Sequence, residues 1–298
     1  MRIVFIFIDG LGISENNLLT NPCAHSEIQL FNIFLTDSFP KKVLFDGIVK
    51  PIEVQLGVPG IPQSATGQAA LFTGINTAKL LNAHLSGFPN HKLRLLLEKH
   101  SIHLKLKNMG KHPAFINVYR PIFFKKGPEA LIRYLSVTSI ANWKAGLRFF
   151  SFDDLLSEQA IYHDFTNLEL IKRGFNVPQF TAEKAGQILA QASRNYDFCL
   201  YEYFKTDRAG HSQDMSFARQ LLVQLERFIF TVLNNTDLTN SLIIITSDHG
   251  NIEDLSIKTH TCNPVPLIVW GQRKNDLIAD VNSLIAVTPA IIKLFNLG

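Results

Sequence analysis

Hydrophobic positions in this 298-residue chain fall into two kinds of pattern. Short apolar runs stand at 3–8, 198–204, 242–246 and 266–270. Their near-continuous Val, Ile, Leu and Phe content reads as strands buried on both faces, as in parallel sheets. Other stretches carry helical spacing. Phe217, Leu221, Leu222, Leu225, Phe228, Ile229 and Val232 recur every three or four residues and predict a helix over 217–233. Thr181-Ala182-Glu183 opens another helix, running to about Ala192, with a capping hydroxyl and a first-turn acid. Val287-Thr288-Pro289-Ala290 starts a last helix with proline in its first turn. Alternation of strands and helices predicts an α/β fold, doubly wound around a mostly parallel sheet.

The chemistry lies just behind the strands. Asp9-Gly10 follows the first run, and Asp207-Arg208-Ala209-Gly210-His211 follows the second. Asp248-His249-Gly250-Asn251 follows the third, with His260 eleven residues after His249. A lone Asp in such a place is often a helix cap, and a lone His a hydrogen-bonded structural residue. Three repetitions at strand ends point instead to one metal site at the carboxyl edge of the sheet. Carboxylates and imidazoles without thiolate suit Mn²⁺ or Zn²⁺. A Pro/Gly-rich loop, 57–63, delivers Ser64 to the start of a helix over 65–73. There the free N–H groups favour negative charge, which suits a nucleophilic hydroxyl; the plainer reading of Ser64 is an N-cap.

The middle of the chain differs. Over 84–180 the strand-end pattern stops and aromatic and basic residues become frequent. This stretch is expected to be an inserted cap over a core made of 1–83 and 181–298. Arg120, Arg133, Arg148, His163 and Asp164 are its candidates for binding substrate, because a polar substrate needs donors beyond the metals. Each could equally be a solvated surface charge.

Composition narrows the classes. With 46% hydrophobic and 18% charged residues, the chain can bury a large core. Its formal charge is +4 and its Lys and Arg residues are scattered, which gives nucleic-acid binding little support. No apolar window approaches the eighteen residues of a membrane span. The opening run is interrupted by Asp9 with no small-residue cleavage site, unlike a signal peptide. Cys23, Cys199 and Cys262 form no CxxC pair, which argues against a disulfide framework and fits a reducing cytoplasm.

Taken in order, Asp9-Gly10, Ser64, Asp207-x-x-x-His211, Asp248-His249-Gly250-Asn251 and His260-Thr261-x-Asn263-Pro264-Val265-Pro266 resemble the alkaline phosphatase superfamily. Within it the nearest likeness is to cofactor-independent phosphoglycerate mutases and their metalloenzyme relatives. The resemblance implies an alkaline phosphatase-like core and two divalent cations. One would be held by Asp9, Ser64, Asp248 and His249, the other by Asp207, His211 and His260. Ser64 would be the phosphorylated nucleophile, ten residues before Gly74, with Thr66 as the fallback. The implied activity is that of a phosphatase or phosphomutase on a small phosphorylated metabolite. Phosphodiesterase or phosphonate hydrolase chemistry is the alternative within the superfamily, and a non-catalytic binding protein the alternative outside it. The loop departs from the mutase pattern Gly-Asn-Ser-Glu-Val-Gly-His, carrying Gln63 and Gln68 in place of Asn and His.

Overall fold

A computed structural model describes residues 1–297. Its strands are β1 (Arg2–Ile8), β2 (Lys41–Val43), β3 (Gly47–Ile52), β4 (Pro113–Phe115), β5 (Phe198–Tyr203), β6 (Ser241–Thr246) and β7 (Val265–Gly271). They form one sheet in the order β2-β3-β7-β6-β1-β5-β4. β4, β5, β1 and β6 are mutually parallel, while β7 runs against both β6 and β3. β3 therefore rejoins the common direction and β2 turns back from it, so five of the seven strands point the same way.

The continuous apolar runs are explained by burial on both faces. Along β1, Val4, Ile6 and Ile8 enter one hydrophobic cluster, whereas Ile3, Phe5 and Phe7 enter the other. The first face is covered by helices Ala182–Ser193 and Met215–Asn235, whose apolar stripes include Ile188, Leu189, Leu222 and Leu225. Thr181 caps the former as predicted, its hydroxyl accepting from Lys184 N at 3.1 Å. The second face is covered by helices Ser64–Thr73 and Leu284–Asn296, with His91–His100, Ile102–Asn108 and Val137–Lys144 beside them. The sheet is thus wound on both sides. Among the described residues no helix is long and apolar enough to cross a membrane.

Two expectations change. The last helix begins at Leu284, so Pro289 lies inside it rather than in its first turn. The stripe Leu284, Val287, Ile291 and Leu294 packs on the second face and carries the helix through the proline. Nor does 84–180 stand apart from the sheet. It supplies β4, which pairs with β5, and three of the helices on the second face. Its connecting segments around 117–136 and 162–173, with Phe88, line a cavity at the carboxyl ends of β4 and β5, where a cap was expected.

Candidate metal centre

Sheet geometry brings the strand-end motifs together. The Asp9 amide donates to the Tyr203 carbonyl at 2.9 Å, locking the end of β1 to the end of β5. Gly10 follows with φ of +74°; a Cβ there would lie 2.8 Å from the Asp207 Cα, so the backbones meet only because residue 10 is glycine. The Leu11 amide donates to Ser247 Oγ at 2.9 Å, tying the same turn to the end of β6. Behind it the Ser64–Thr73 helix passes Asp248 so closely that a Cβ on Gly67 would be 2.7 Å from the Asp248 carbonyl.

Two trios result. Asp9, Asp248 and His249 form one, and Asp207, His211 and His260 the other, each with one ligand atom per residue and all three within 4.8 Å of one another. The His249 and His260 rings stack at 3.7 Å and join the trios. Burial is deepest in the first, where Asp248 and His249 are fully enclosed. Asp207 and His211 sit on successive turns of helix Lys205–Ser212, a spacing that places both on one face.

The imidazoles share one arrangement. His211 Nδ1 lies 2.8 Å from the Lys258 carbonyl, His260 Nδ1 3.0 Å from the Pro62 carbonyl, and His249 Nδ1 3.3 Å from the Gly250 carbonyl. If Nδ1 carries the proton in each, Nε2 presents a lone pair. Those lone pairs face carboxylates: Asp207 at 3.4 Å from His211 and 3.3 Å from His260, and Asp9 at 3.3 Å from His249. Lone pairs opposed to carboxylate oxygens are what a cation between them would resolve, and carbonyl-anchored histidines are the usual outer support of metal ligands. Asp9 Oδ1 and Asn251 Oδ1 are also buried without a hydrogen-bond partner. Burial, with the charges of Asp248, Asp207 and Glu202, raises the Asp9 carboxyl well above its ordinary range. With His260 and His249 instead protonated on both ring nitrogens, burial still works against the charge on Asp207, but the hydrogen bond from His260 and the field of His249 bring its carboxyl down to about 2. The donor set fits divalent cations.

Residues outside the set of expected ligands hold this arrangement. Gln68 Nε2 donates to Asp9 at 3.2 Å and to Asp248 at 3.0 Å, clasping two carboxylates. Asn251 Nδ2 donates to Asp207 at 2.7 Å. Glu253 is buried and accepts from Gly12 N at 2.9 Å, Asn251 N at 2.7 Å, Asn263 Nδ2 at 3.1 Å and the Thr261 hydroxyl. It fixes the turn that carries His249 and the turn that carries His260. Glu253 stands five residues after Asp248, and that closeness was the only sequence signal for it.

Ser64 is the first residue of its helix, not the cap; Gln63 holds the cap position. Its hydroxyl lies 2.9 Å from His249 Nε2. Thr66 is fully buried and engaged elsewhere, donating to the Gln63 carbonyl at 3.1 Å and accepting from Leu85 N at 3.2 Å.

A cavity of about 630 Å³ opens at the end of β5, lined by Glu202, Phe204 and, from the helix that follows, Arg208; none of the six trio residues lines it, nor does Ser64. Its other walls include Arg120 and His163. The remaining substrate candidates are elsewhere. Arg148 pairs with Asp154 and lies over the Phe150 ring. Asp164 is buried and accepts from Asn167 N at 2.9 Å and Glu169 N at 2.8 Å, organising the start of helix Leu168–Lys172. Arg133 belongs to the 3₁₀ turn Ile132–Tyr134 and does not line the cavity. Glu202, which neither motif nor resemblance marked, faces the cavity at its inner end; burial pushes its carboxyl up to about 7 against a hydrogen bond from Thr138 Oγ1 at 2.6 Å.

Residues 172–298 match the Metalloenzyme superfamily. A 2,3-bisphosphoglycerate-independent phosphoglycerate mutase of Pyrococcus abyssi is 26% identical over 251 residues, covering 74% of this chain and 57% of its own length. The corresponding protein of Ehrlichia canis is 29% identical over 130 residues, covering 41% of this chain and 26% of its own length. The chain therefore spans between a quarter and somewhat over half of these relatives. The fold is similar to that of the alkaline phosphatase from the Antarctic bacterium TAB5, with a TM-score of 0.55 at 14% identity over 100% of this chain and 98% of the other.

Proposed function

We propose that this chain is a metalloenzyme of the alkaline phosphatase superfamily and transfers the phosphoryl group of a small phosphate monoester by way of Ser64, a reading supported by its family match, its mutase relatives and its fold. The observation that carries the reading is the Ser64 hydroxyl, free of any capping bond, 2.9 Å from His249 Nε2 at a helix start beside both trios. Asp9, Ser64, Asp248 and His249 would hold one divalent cation, and Asp207, His211 and His260 a second, with Mn²⁺ or Zn²⁺ suited to these donors. Bound there, the cations supply positive charge against the attacking and leaving oxygens of an in-line displacement.

The chain's own residues prepare the rest. The helix start fixes the Ser64 hydroxyl, and helix N-termini favour the negative charge of a phosphoryl group. Gln68 keeps the Asp9 and Asp248 carboxylates at a set separation. Arg120 and His163 face the cavity where the carbon skeleton of the ester would lie. Engagement of the Thr66 hydroxyl favours Ser64 over Thr66, and with it the monoester over the diester reading. Exposed Phe88, Ile122 and Tyr134 at the mouth leave the cavity open to water, which favours hydrolysis of the phosphoserine over return of the group to substrate.

Protein reconstituted with Mn²⁺ or Zn²⁺ is expected to hydrolyse p-nitrophenyl phosphate faster than bis-p-nitrophenyl phosphate. Acid quenching during turnover is expected to leave phosphate on the peptide containing Ser64. Label on Thr66, or preference for the diester, would overturn the assignment.

A further inference from the structure

The cavity at the end of β5 is built for more than a three-carbon phosphate ester. Its volume of about 630 Å³ falls in the range that encloses a drug-sized ligand, ~300–1,000 Å³. Tyr119 and Phe123 form an aromatic wall, with ring centroids 4.4 Å apart. At the mouth Phe88 and Tyr134 stand edge to face at 6.4 Å, 50% and 71% exposed. Exposed aromatic side chains gathered around a concavity mark a binding site more often than chance surface placement.

The polar side of the same cavity carries three guanidiniums, Arg120, Arg173 and Arg208, against two carboxylates, Glu169 and Glu202, and is incompletely paired. Arg208 is matched by Glu169 at 3.1 Å. Arg120 and Arg173 line the cavity with no carboxylate partner among the described residues. His163 lines the same cavity, its ring stacked 4.3 Å from Phe204, its Nε2 3.6 Å from a Glu169 carboxylate oxygen and its Nδ1 buried without a hydrogen-bond partner. Burial lowers the His163 pKa, and the fields of Arg208, Lys205, Arg120 and Arg173 lower it further. Two unpaired guanidiniums beside a polar atom without a partner form a receptor for an anion distinct from the phosphoryl group at Ser64.

Resting on the phosphoryl-transfer reading above, we infer that the substrate is a phosphate monoester whose leaving group joins a ring-sized apolar body to a second anionic group. The ring lies along Tyr119 and Phe123, and the anion is read by Arg120 and Arg173. Three esters test this with the metal-loaded protein: 4-carboxyphenyl phosphate, phenyl phosphate and 3-phosphoglycerate. kcat/KM is expected to be about tenfold higher for the first than for the second, since a charge-assisted hydrogen bond is worth that much, and lowest for the third. The double variant Arg120→Ala/Arg173→Ala is expected to lose about tenfold on 4-carboxyphenyl phosphate and less than roughly threefold on phenyl phosphate. The pair Phe88→Ala/Tyr134→Ala should raise KM for both aryl esters together. All four side chains are at least partly exposed, so truncation spares the core.

Calorimetric titration of 4-carboxyphenyl phosphate into chelator-treated protein separates this inference from the catalytic one. Saturable binding weakened by the arginine double variant supports the cavity's role even if no ester turns over, in which case the catalytic reading fails alone. Turnover with 3-phosphoglycerate preferred, or an aryl-ester ratio unmoved by the arginine variant, would overturn the inference and leave phosphoryl transfer standing.

Discussion

The two trios and the cavity meet at the end of β5, yet they are built by different means. Every residue of the trios except His211 and His260 lies within four positions of a strand end, and the sheet itself fixes where such residues go. The cavity has no such frame. Its lining comes from loops and short helices around 117–136 and 162–173, placed by aromatic packing such as Tyr119 on Phe123 and Phe149. The contrast separates two kinds of specification: backbone topology determines the cluster, whereas long-range packing determines the cavity. Chemistry at strand ends can therefore persist while the neighbouring walls vary.

The largest expected effect falls on the cluster. Ser64→Ala should abolish turnover while the circular dichroism spectrum stays native, because Ser64 neither caps its helix nor fills the core. Thr66→Ala should keep substantial activity but cost about 1 kcal/mol in denaturant unfolding, since it leaves the half-buried Leu85 amide without its hydroxyl acceptor. An inactive Thr66→Ala with an active Ser64→Ala would reverse these roles.

Next is the support of the cluster. Glu253 touches none of the six trio residues, yet Glu253→Ala should weaken Mn²⁺ binding about 10–100-fold by freeing the turns that carry His249 and His260. Tyr134→Ala, in the cavity mouth, should leave that affinity where it was. Equal losses in the two variants would erase the distinction between cluster and cavity.

Strands β1, β5, β6 and β7 were legible because their apolar runs are buried on both faces, and the motifs behind them were legible for the same reason. β2 and β4 were not, being three residues each and without alternation. β3 was missed because Gly47, Lys50 and Pro51 break its pattern. Gln68 was visible only as a departure from a related loop; its clasp on two carboxylates depends on a helix crossing that no local pattern encodes. Arg148 and Asp164 were indistinguishable in sequence from Arg120 and His163, since only packing decides which of them turns toward the cavity.

A third, smaller effect concerns Glu202, where cluster and cavity touch. Its carboxyl is raised from 4.5 to about 7, chiefly by burial. The folded state then binds the proton more tightly than the unfolded state, so stability should fall as pH rises from about 4.5 to 7, by ~3 kcal/mol at most. Glu202→Gln should flatten that slope in chelator-treated protein, as urea unfolding at several pH values would register. A slope unchanged by the substitution would remove Glu202 from the account.

The smallest effect lies outside both regions. His103 is fully buried against Phe198, with neither ring nitrogen hydrogen-bonded. Burial lowers its pKa to about 3, so its contribution to stability is lost as pH falls through about 6.5 toward 3. His103→Leu should raise stability by about 1–2 kcal/mol at neutral pH, without touching activity, because it removes unsatisfied polar atoms from an apolar cluster. Thermal unfolding would show a lower midpoint if the ring instead makes an essential contact.

The central claim is that the strand-end cluster holds two divalent cations, one per trio. Titration calorimetry of chelator-treated protein with Mn²⁺ tests it directly, with His211→Ala as the partner experiment because His211 is the most exposed member of the second trio. The account predicts two ions per chain in the wild type and one in His211→Ala. A wild type that binds a single ion or none, or a variant that still binds two, would contradict it.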